Sequence, residues 1–260
     1  MSGSIDTQNQ RITNRIADLL ASFRLPTAAQ ELVPRMTSDG FEDALPSLLE
    51  IFEQEQSDRK ERRVERLRRA SKLIPGKRFD TLDDSCLPRE LARKLRELAE
   101  GHFLDETVNV LAFGLPGTGK THAASALGYA LVEAGHPVYF TPTFRLVQDL
   151  LAAKRDLELP RALRKLDNFE LLILDDIGYV QQSAEEVEVL FTLMAERYER
   201  KSMLITSNLV FSEWDQIFKN PMTTAAAIDR VVHHSIIVEF GKEISSHRAD
   251  QAALRQQEVP

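Results

Sequence analysis

The 260-residue sequence predicts an α/β fold, a parallel five-stranded sheet with helices on both faces, preceded by a small all-helical domain. Three observations carry that prediction. Five short runs, at 108–113 (VNVLAF), 138–141 (VYFT), 171–175 (LLILD), 203–207 (MLITS) and 236–240 (IIVEF), are apolar almost throughout. Strands of that kind are buried on both faces, and parallel neighbours need crossover connections to join them. The intervening stretches supply the crossovers, with helical character near 120–134, 144–154, 160–167, 183–200 and 222–234. No strand signal precedes Val108.

Taken in order, the chain begins with Ile12, Ile16, Leu19, Leu20 and Phe23, whose spacings of three and four put one apolar face on a helix. Pro26 and Pro34 punctuate the next segment. Leu45, Leu48, Leu49 and Phe52 then lead into a long charged helix, which Pro75-Gly76 is expected to stop. After a loop (RFDTLDDSCLP), Leu91, Leu95 and Leu98 mark one more amphipathic helix. Ser183 and Glu186 form a capping box at the start of the fourth crossover. The expected organisation is a helical N-terminal domain with a basic arm over 1–75, a connecting loop and helix over 76–106, and the sheet domain over 107–260.

Composition narrows the class. Hydrophobic residues make up 43% of the chain, enough for a sizeable core and too many for a disordered protein. The single cysteine, Cys86, excludes an intrachain disulfide and fits a reducing, cytoplasmic setting. No apolar run is long enough to span a membrane, and the polar start is no signal peptide. The net charge of −7 is unevenly spread. Asp58 to Arg78 holds ten Lys or Arg against three acids, a local excess of +7, so the remaining residues sum to −14.

The chemistry starts after the first strand, in Gly114-Leu115-Pro116-Gly117-Thr118-Gly119-Lys120-Thr121, followed by His122 and an alanine-rich helix. This is G-x-x-x-x-G-K-[ST] between a strand and a helix, the setting a phosphate-binding loop requires. Its glycines let several backbone N–H groups face one anion, and the helix adds its positive end. Lys120 can reach the β- and γ-phosphates of a nucleoside triphosphate, and the Thr121 hydroxyl can ligate Mg²⁺. The third strand ends in Asp175-Asp176, at the sheet edge where α/β proteins bind ligands. Asp175 is the candidate Mg²⁺ ligand and Asp176 the candidate for orienting or deprotonating water. Asn208, after the fourth strand, is placed to hydrogen-bond the γ-phosphate or the water. Each has a bland alternative, since Asp-Asp before Gly178 and Asn after a strand both suit turns.

Together these residues resemble the AAA+ ATPases, and within them the IstB-like transposition helper ATPases, near the bacterial replication initiators and helicase loaders. The resemblance runs through RFDTLDD, GLPGTGKTHAASALG, LLILDDIGY, SAEEVEVLF, RYERKSMLITSNLVFSEW and AAAIDRVVHHS, closely over about residues 60 to 250. It implies a P-loop AAA+ sheet with Gly114 to Thr121 as Walker A and Asp175 as Walker B. It implies that Asn208 is sensor 1, Arg230 an arginine finger reaching a neighbouring subunit's nucleotide, and Arg248 the sensor 2 arginine. An arginine in trans makes the protein a homo-oligomer with a shared active site. Two departures qualify this. Asp176 stands where many relatives carry Glu, one methylene longer, which implies slow hydrolysis and a timed switch. The residues after the last strand are too few for a full helical lid, which loosens the case for Arg248.

The basic segment is one-signed, with Arg59, Arg62, Arg63, Arg66, Arg69 and Lys72 spaced to follow one side of a helix. A solvated helix face is the bland reading, and backbone contact with nucleic acid the functional one. Arg161–Lys165, Lys219 and Lys242 could extend such a surface. The resemblance then implies an ATP-dependent regulator of transposition that assembles on duplex DNA, remodels it and serves a partner transposase, with hydrolysis dismantling the assembly. A helicase loader acting on a replicative helicase and single-stranded DNA is the alternative. A small-molecule kinase is a third reading, which leaves Asn208 and Asp229-Arg230 unexplained.

Overall fold

The computed structural model describes residues 2–82, 87–179, 183–210, 213–214, 221–232 and 234–241. The chain divides into two compact units, Met1–Glu65 and Arg66–Pro260.

The first unit holds α1 (Ser2–Ser22), α2 (Pro26–Ser38) and most of α3 (Leu45–Ser71). Pro26 opens α2 at a position where its missing N–H costs no hydrogen bond. The apolar spacing noted above becomes a core of Ile16, Leu20, Val33 and Leu45, with Ile12, Phe23, Leu48, Leu49 and Phe52 packed against it.

The charged helix was expected to run to Pro75-Gly76, but α3 ends at Ser71. The Ser71 hydroxyl donates to the Arg68 carbonyl (2.7 Å) and accepts from the Leu73 N–H (3.4 Å), which satisfies the end locally. Lys72 turns out of the helix at φ 54°, and Leu73 is buried. Leu73 lies where a side chain on Gly128 would stand, 2.5 Å from the place of a Cβ.

In the second unit, α4 (Arg89–Ala99) buries Leu91, Leu95 and Leu98, and a single turn, α5 (His102–Asp105), leads into the sheet. The five strands are β1 (Asn109–Gly114), β2 (Val138–Pro142), β3 (Leu171–Asp175), β4 (Ser202–Ser207) and β5 (Ser235–Phe240), all parallel, in the order β2-β3-β4-β1-β5. The crossovers are α6 (Lys120–Ala134), α7 (Thr143–Arg155), α8 (Leu159–Leu166), α9 (Ala184–Arg197) and α10 (Pro221–Val232). Side chains alternate across a strand. Leu111, Phe113, Leu172, Leu174, Met203 and Ile205 therefore share one face, packed with α7, α9 and α10. Ile173, on the other face, meets α6 at Gly128.

The five strands and five crossover helices expected after Val108 each lie within three residues of their expected bounds. The expected capping box is present: the Ser183 hydroxyl accepts from the Glu186 N–H (3.3 Å), and the Glu186 carboxylate accepts from the Ser183 N–H (2.7 Å). Trp214 is fully buried beside Phe113 and donates to the Leu209 carbonyl (3.3 Å).

Candidate functional site

The carboxyl ends of β1, β3 and β4 come together at one edge of the sheet, and the loop after β1 closes over them. Gly114 is required by close approach. A Cβ there would stand 2.4 Å from the Phe240 carbonyl oxygen on β5. Gly117 and Gly119, at φ 87° and 95°, lie in the left-handed region that glycine enters without steric cost. They turn the chain into α6, whose free N–H groups and dipole make its start an anion site. The Lys120 ammonium, nearly buried, donates to the carbonyls of Gly114 (2.7 Å) and Leu115 (2.8 Å). Thr118 is buried and its hydroxyl donates to the Leu115 carbonyl (2.8 Å), pinning the loop from within.

A cavity of about 180 Å³ opens here. Pro116, Gly117, Gly119, Lys120, Thr121 and His122 line one side, Asp176, Thr206 and Asn208 another, and Lys77 a third. The sequence-predicted residues of loop, β3 and β4 thus meet at one place. Asp175 sits just behind the lining, where its carboxylate Oδ1 accepts from the Thr206 hydroxyl (2.8 Å). The Asp176 N–H donates to that same hydroxyl (2.8 Å), and Asp176 itself has a left-handed backbone, φ 60°.

These donors suit a nucleoside triphosphate with Mg²⁺. The loop offers N–H groups and one ammonium to phosphate oxygens. Thr121 and Asp175 offer a hydroxyl and a carboxylate, and Mg²⁺ is ordinarily held by one or two such ligands together with substrate phosphates and water. A hollow of about 670 Å³ between α4, α5 and β5 is larger, and Leu98, Phe103, Val108 and Ile236 line it together with Lys94, Glu97 and Glu106. It lacks the converging phosphate donors.

Other predicted residues lie elsewhere. Arg230, on α10, is not among the cavity's lining residues. Its guanidinium stands 4.6 Å over the Phe191 ring, and its Nη1 is buried with no hydrogen-bond partner among the described residues. Arg248, Lys219, Lys242 and Cys86 lie outside the described residues. Arg59, Arg62, Arg63, Arg66 and Arg69 are exposed on α3. Lys72 is exposed as well, but one residue past the helix, where its ammonium donates to the Tyr139 hydroxyl (3.1 Å). Its expected place on the helix face is therefore corrected. Arg59 and Arg62 both pair with Glu55, at 2.6 and 3.4 Å. The hydrogen bond from Arg59, aided by the charges of both arginines, holds the Glu55 carboxyl below its ordinary value.

Three features escaped the sequence reading. Lys77 and Thr206 line the cavity, and the segment before α4 grips the start of α6. There the Thr81 hydroxyl and the Arg78 carbonyl each lie 3.1 Å from His122 Nε2. Arg78 also stands 4.6 Å over Tyr129 and pairs with Glu133 at 3.3 Å. The RFDTLDD stretch was the only signal for this contact, and it carries no chemistry of its own.

Fold and cavity together define a P-loop nucleotide-binding protein of the AAA+ class. The particular family is settled by comparison with known sequences. A profile of the IstB-like ATP binding proteins matches residues 18–253, and the chain belongs to that family. It is 40% identical over 250 residues to a Sinorhizobium fredii protein named as an insertion sequence ATP-binding protein, covering 95% of this chain and 84% of that one. Among solved structures it is similar in fold to the DnaC helicase loader, with TM-score 0.51 and 18% identity over 58% of this chain and 88% of the other. It is likewise similar to the replication initiator DnaA bound to AMPPCP and single-stranded DNA, with TM-score 0.54 and 15% identity over 73% of this chain and 58% of the other.

Proposed function

We propose that this chain is an ATPase that assembles in several copies on duplex DNA, remodels it, and serves a partner transposase, with hydrolysis releasing the assembly. The observation that carries the reading is the convergence of Lys120, Thr121, Asp176 and Asn208 on one cavity while Arg230 lies outside it. Thr121 and Asp175 would hold Mg²⁺, which supplies charge neutralisation at the phosphates. Lys120 and the loop N–H groups bind and orient the triphosphate. Asp176 orients the water, and Asn208 reports on the terminal phosphate. Arg230 would complete the site of a neighbouring copy, so ATP and assembly depend on one another. The insertion-sequence relative supports the transposition setting, and the exposed arginines of α3 support contact with the DNA backbone.

Sedimentation with random duplex DNA, in ATP and in ADP, tests this reading. Large complexes are expected only with ATP and DNA together, and are expected to vanish in Lys120→Ala and in Arg230→Ala. A protein that stays monomeric with ATP and duplex DNA removes the mechanism. The helicase-loader reading draws on a separate observation: Leu25, Phe41 and Ile51 of the first unit are 46–60% exposed, the kind of apolar surface a docking module needs. It expects binding to single-stranded DNA and to a helicase, with no ATP-dependent assembly on duplex.

A further inference from the structure

Thr206 occupies a place that neither the loop nor the acidic pair explains. In the β3–β4 register Leu174 pairs with Ile205, so Asp175 and Thr206 follow as the next neighbours. The Thr206 side chain is 1% exposed, and its one hydroxyl serves both acids. It accepts the Asp176 N–H at 2.8 Å and donates its only proton to Asp175 Oδ1 at 2.8 Å. The two bonds fix each other. With an N–H occupying an oxygen lone pair, the hydroxyl proton is aimed at the Asp175 carboxylate, whose Oδ1 accepts it. Asp175 is held again from its backbone, where its carbonyl accepts from the buried Thr143 hydroxyl at 3.0 Å. The Asp176 bond meanwhile supports a backbone at φ 60°, a conformation that non-glycine residues rarely adopt and that a neighbouring contact must hold.

We propose that Thr206 is the positioning residue of this site. Its hydroxyl sets the orientation of the Asp175 carboxylate toward Mg²⁺ and the backbone turn that presents Asp176 to the cavity. The inference rests on Asp175 being the metal ligand, as proposed above. A ligand carboxylate is ordinarily oriented by an outer hydrogen bond, and losing that bond weakens metal affinity about 10–100-fold in metal sites generally. A purely structural Thr206, chosen as a β-branched residue for a buried strand, would need its shape and not its hydroxyl.

Thr206→Val keeps the branched shape and removes the hydroxyl, while Thr206→Ser keeps the hydroxyl and removes the methyl. The measurement is affinity for a fluorescent, non-hydrolysable ATP analogue, titrated in EDTA and then across Mg²⁺ concentrations. The EDTA titration of the same sample reports folded, nucleotide-binding protein, and Thr206→Ala stands in if the valine variant does not fold. Thr206→Val is expected to bind the analogue normally in EDTA and to need about tenfold more Mg²⁺ for the metal-dependent gain in affinity. Thr206→Ser is expected to restore the wild-type Mg²⁺ requirement. A valine variant with a wild-type Mg²⁺ curve overturns the proposal, as does a serine variant as impaired as the valine one. Asp175→Asn separates the two levels. If it retains the full Mg²⁺ gain, the metal-ligand reading of Asp175 falls. If it loses the gain while Thr206→Val keeps it, only the role of Thr206 falls.

Discussion

Arg197 shows how a single buried charge can hold an α/β unit together. It is fully buried at the end of α9, and its guanidinium donates to the carbonyls of Leu166 (3.1 Å), Phe169 (3.1 Å), Glu170 (3.3 Å) and Ser202 (2.9 Å). Burial pushes its pKa down to about 10, against the opposing pull of Asp167, so it remains charged at neutral pH. One planar fork therefore satisfies carbonyls from the end of α8, the entry to β3 and the start of β4. Replacing it with Met removes all four of these hydrogen bonds, leaving the Leu166 carbonyl with the Phe169 N–H alone, and is expected to cost about 3 kcal/mol or more. For a unit of this size that corresponds to a drop of about 6–12 °C in the unfolding midpoint, read by thermal denaturation. A loss below about 2 °C would mean that water replaces the guanidinium at little cost. In the sequence Arg197 was one charge among several in ERYERK, and nothing local distinguished it. Thr206 was equally silent, because its role depends on a partner thirty-one residues away. Asp175, Asp176 and Asn208 were legible for the opposite reason: a polar residue ending an apolar run is a local pattern, and the strand's direction puts it at the ligand edge.

At the scale of elements, the strands and crossovers could be read because burial on both faces leaves an uninterrupted apolar signature. The stretch 72–82 could not. It has neither period, and its structure comes from what it touches: Leu73 meets Gly128, Arg78 meets Tyr129 and Glu133, and Thr81 meets His122. All of these partners lie on α6, and His122 directly follows Lys120 and Thr121 of the phosphate loop. The end of the basic segment is thereby fastened to the helix that carries that loop. The Thr81 hydroxyl is the central joint, since it accepts from the Arg78 N–H (3.0 Å) and also contacts the carbonyls of Gly76 and Arg78 at 2.6 and 2.9 Å. Thr81→Val removes that joint. The expected result is weaker binding of an ATP analogue by roughly fivefold, the worth of one hydrogen bond of ~1 kcal/mol, with the unfolding midpoint little changed. Unchanged affinity would show that the loop keeps its shape without the segment.

For the whole molecule the deciding quantity is how charge is distributed, since a net −7 repels DNA unless the contact is local. Under the proposed function the exposed arginines of α3 would supply such a contact, and backbone binding has its own signature in salt dependence. Each phosphate neutralised makes the plot of log affinity against log salt steeper by about 0.9. Changing Arg59, Arg62, Arg63, Arg66 and Arg69 together to Gln, which keeps helix propensity nearly constant, is expected to flatten the slope on duplex DNA by as much as about 4.5. The figure is an upper bound, because Arg59 and Arg62 share the ionised Glu55 carboxylate and each must give up part of that partner to meet a phosphate. Binding in ATP, measured by fluorescence anisotropy between low and moderate salt, checks it. A slope that stays put while the protein still binds would assign α3 to a solvated face and move the DNA contact to other residues of the chain. A flattened slope with equal losses on unrelated sequences would tie the arm to backbone contact without base readout.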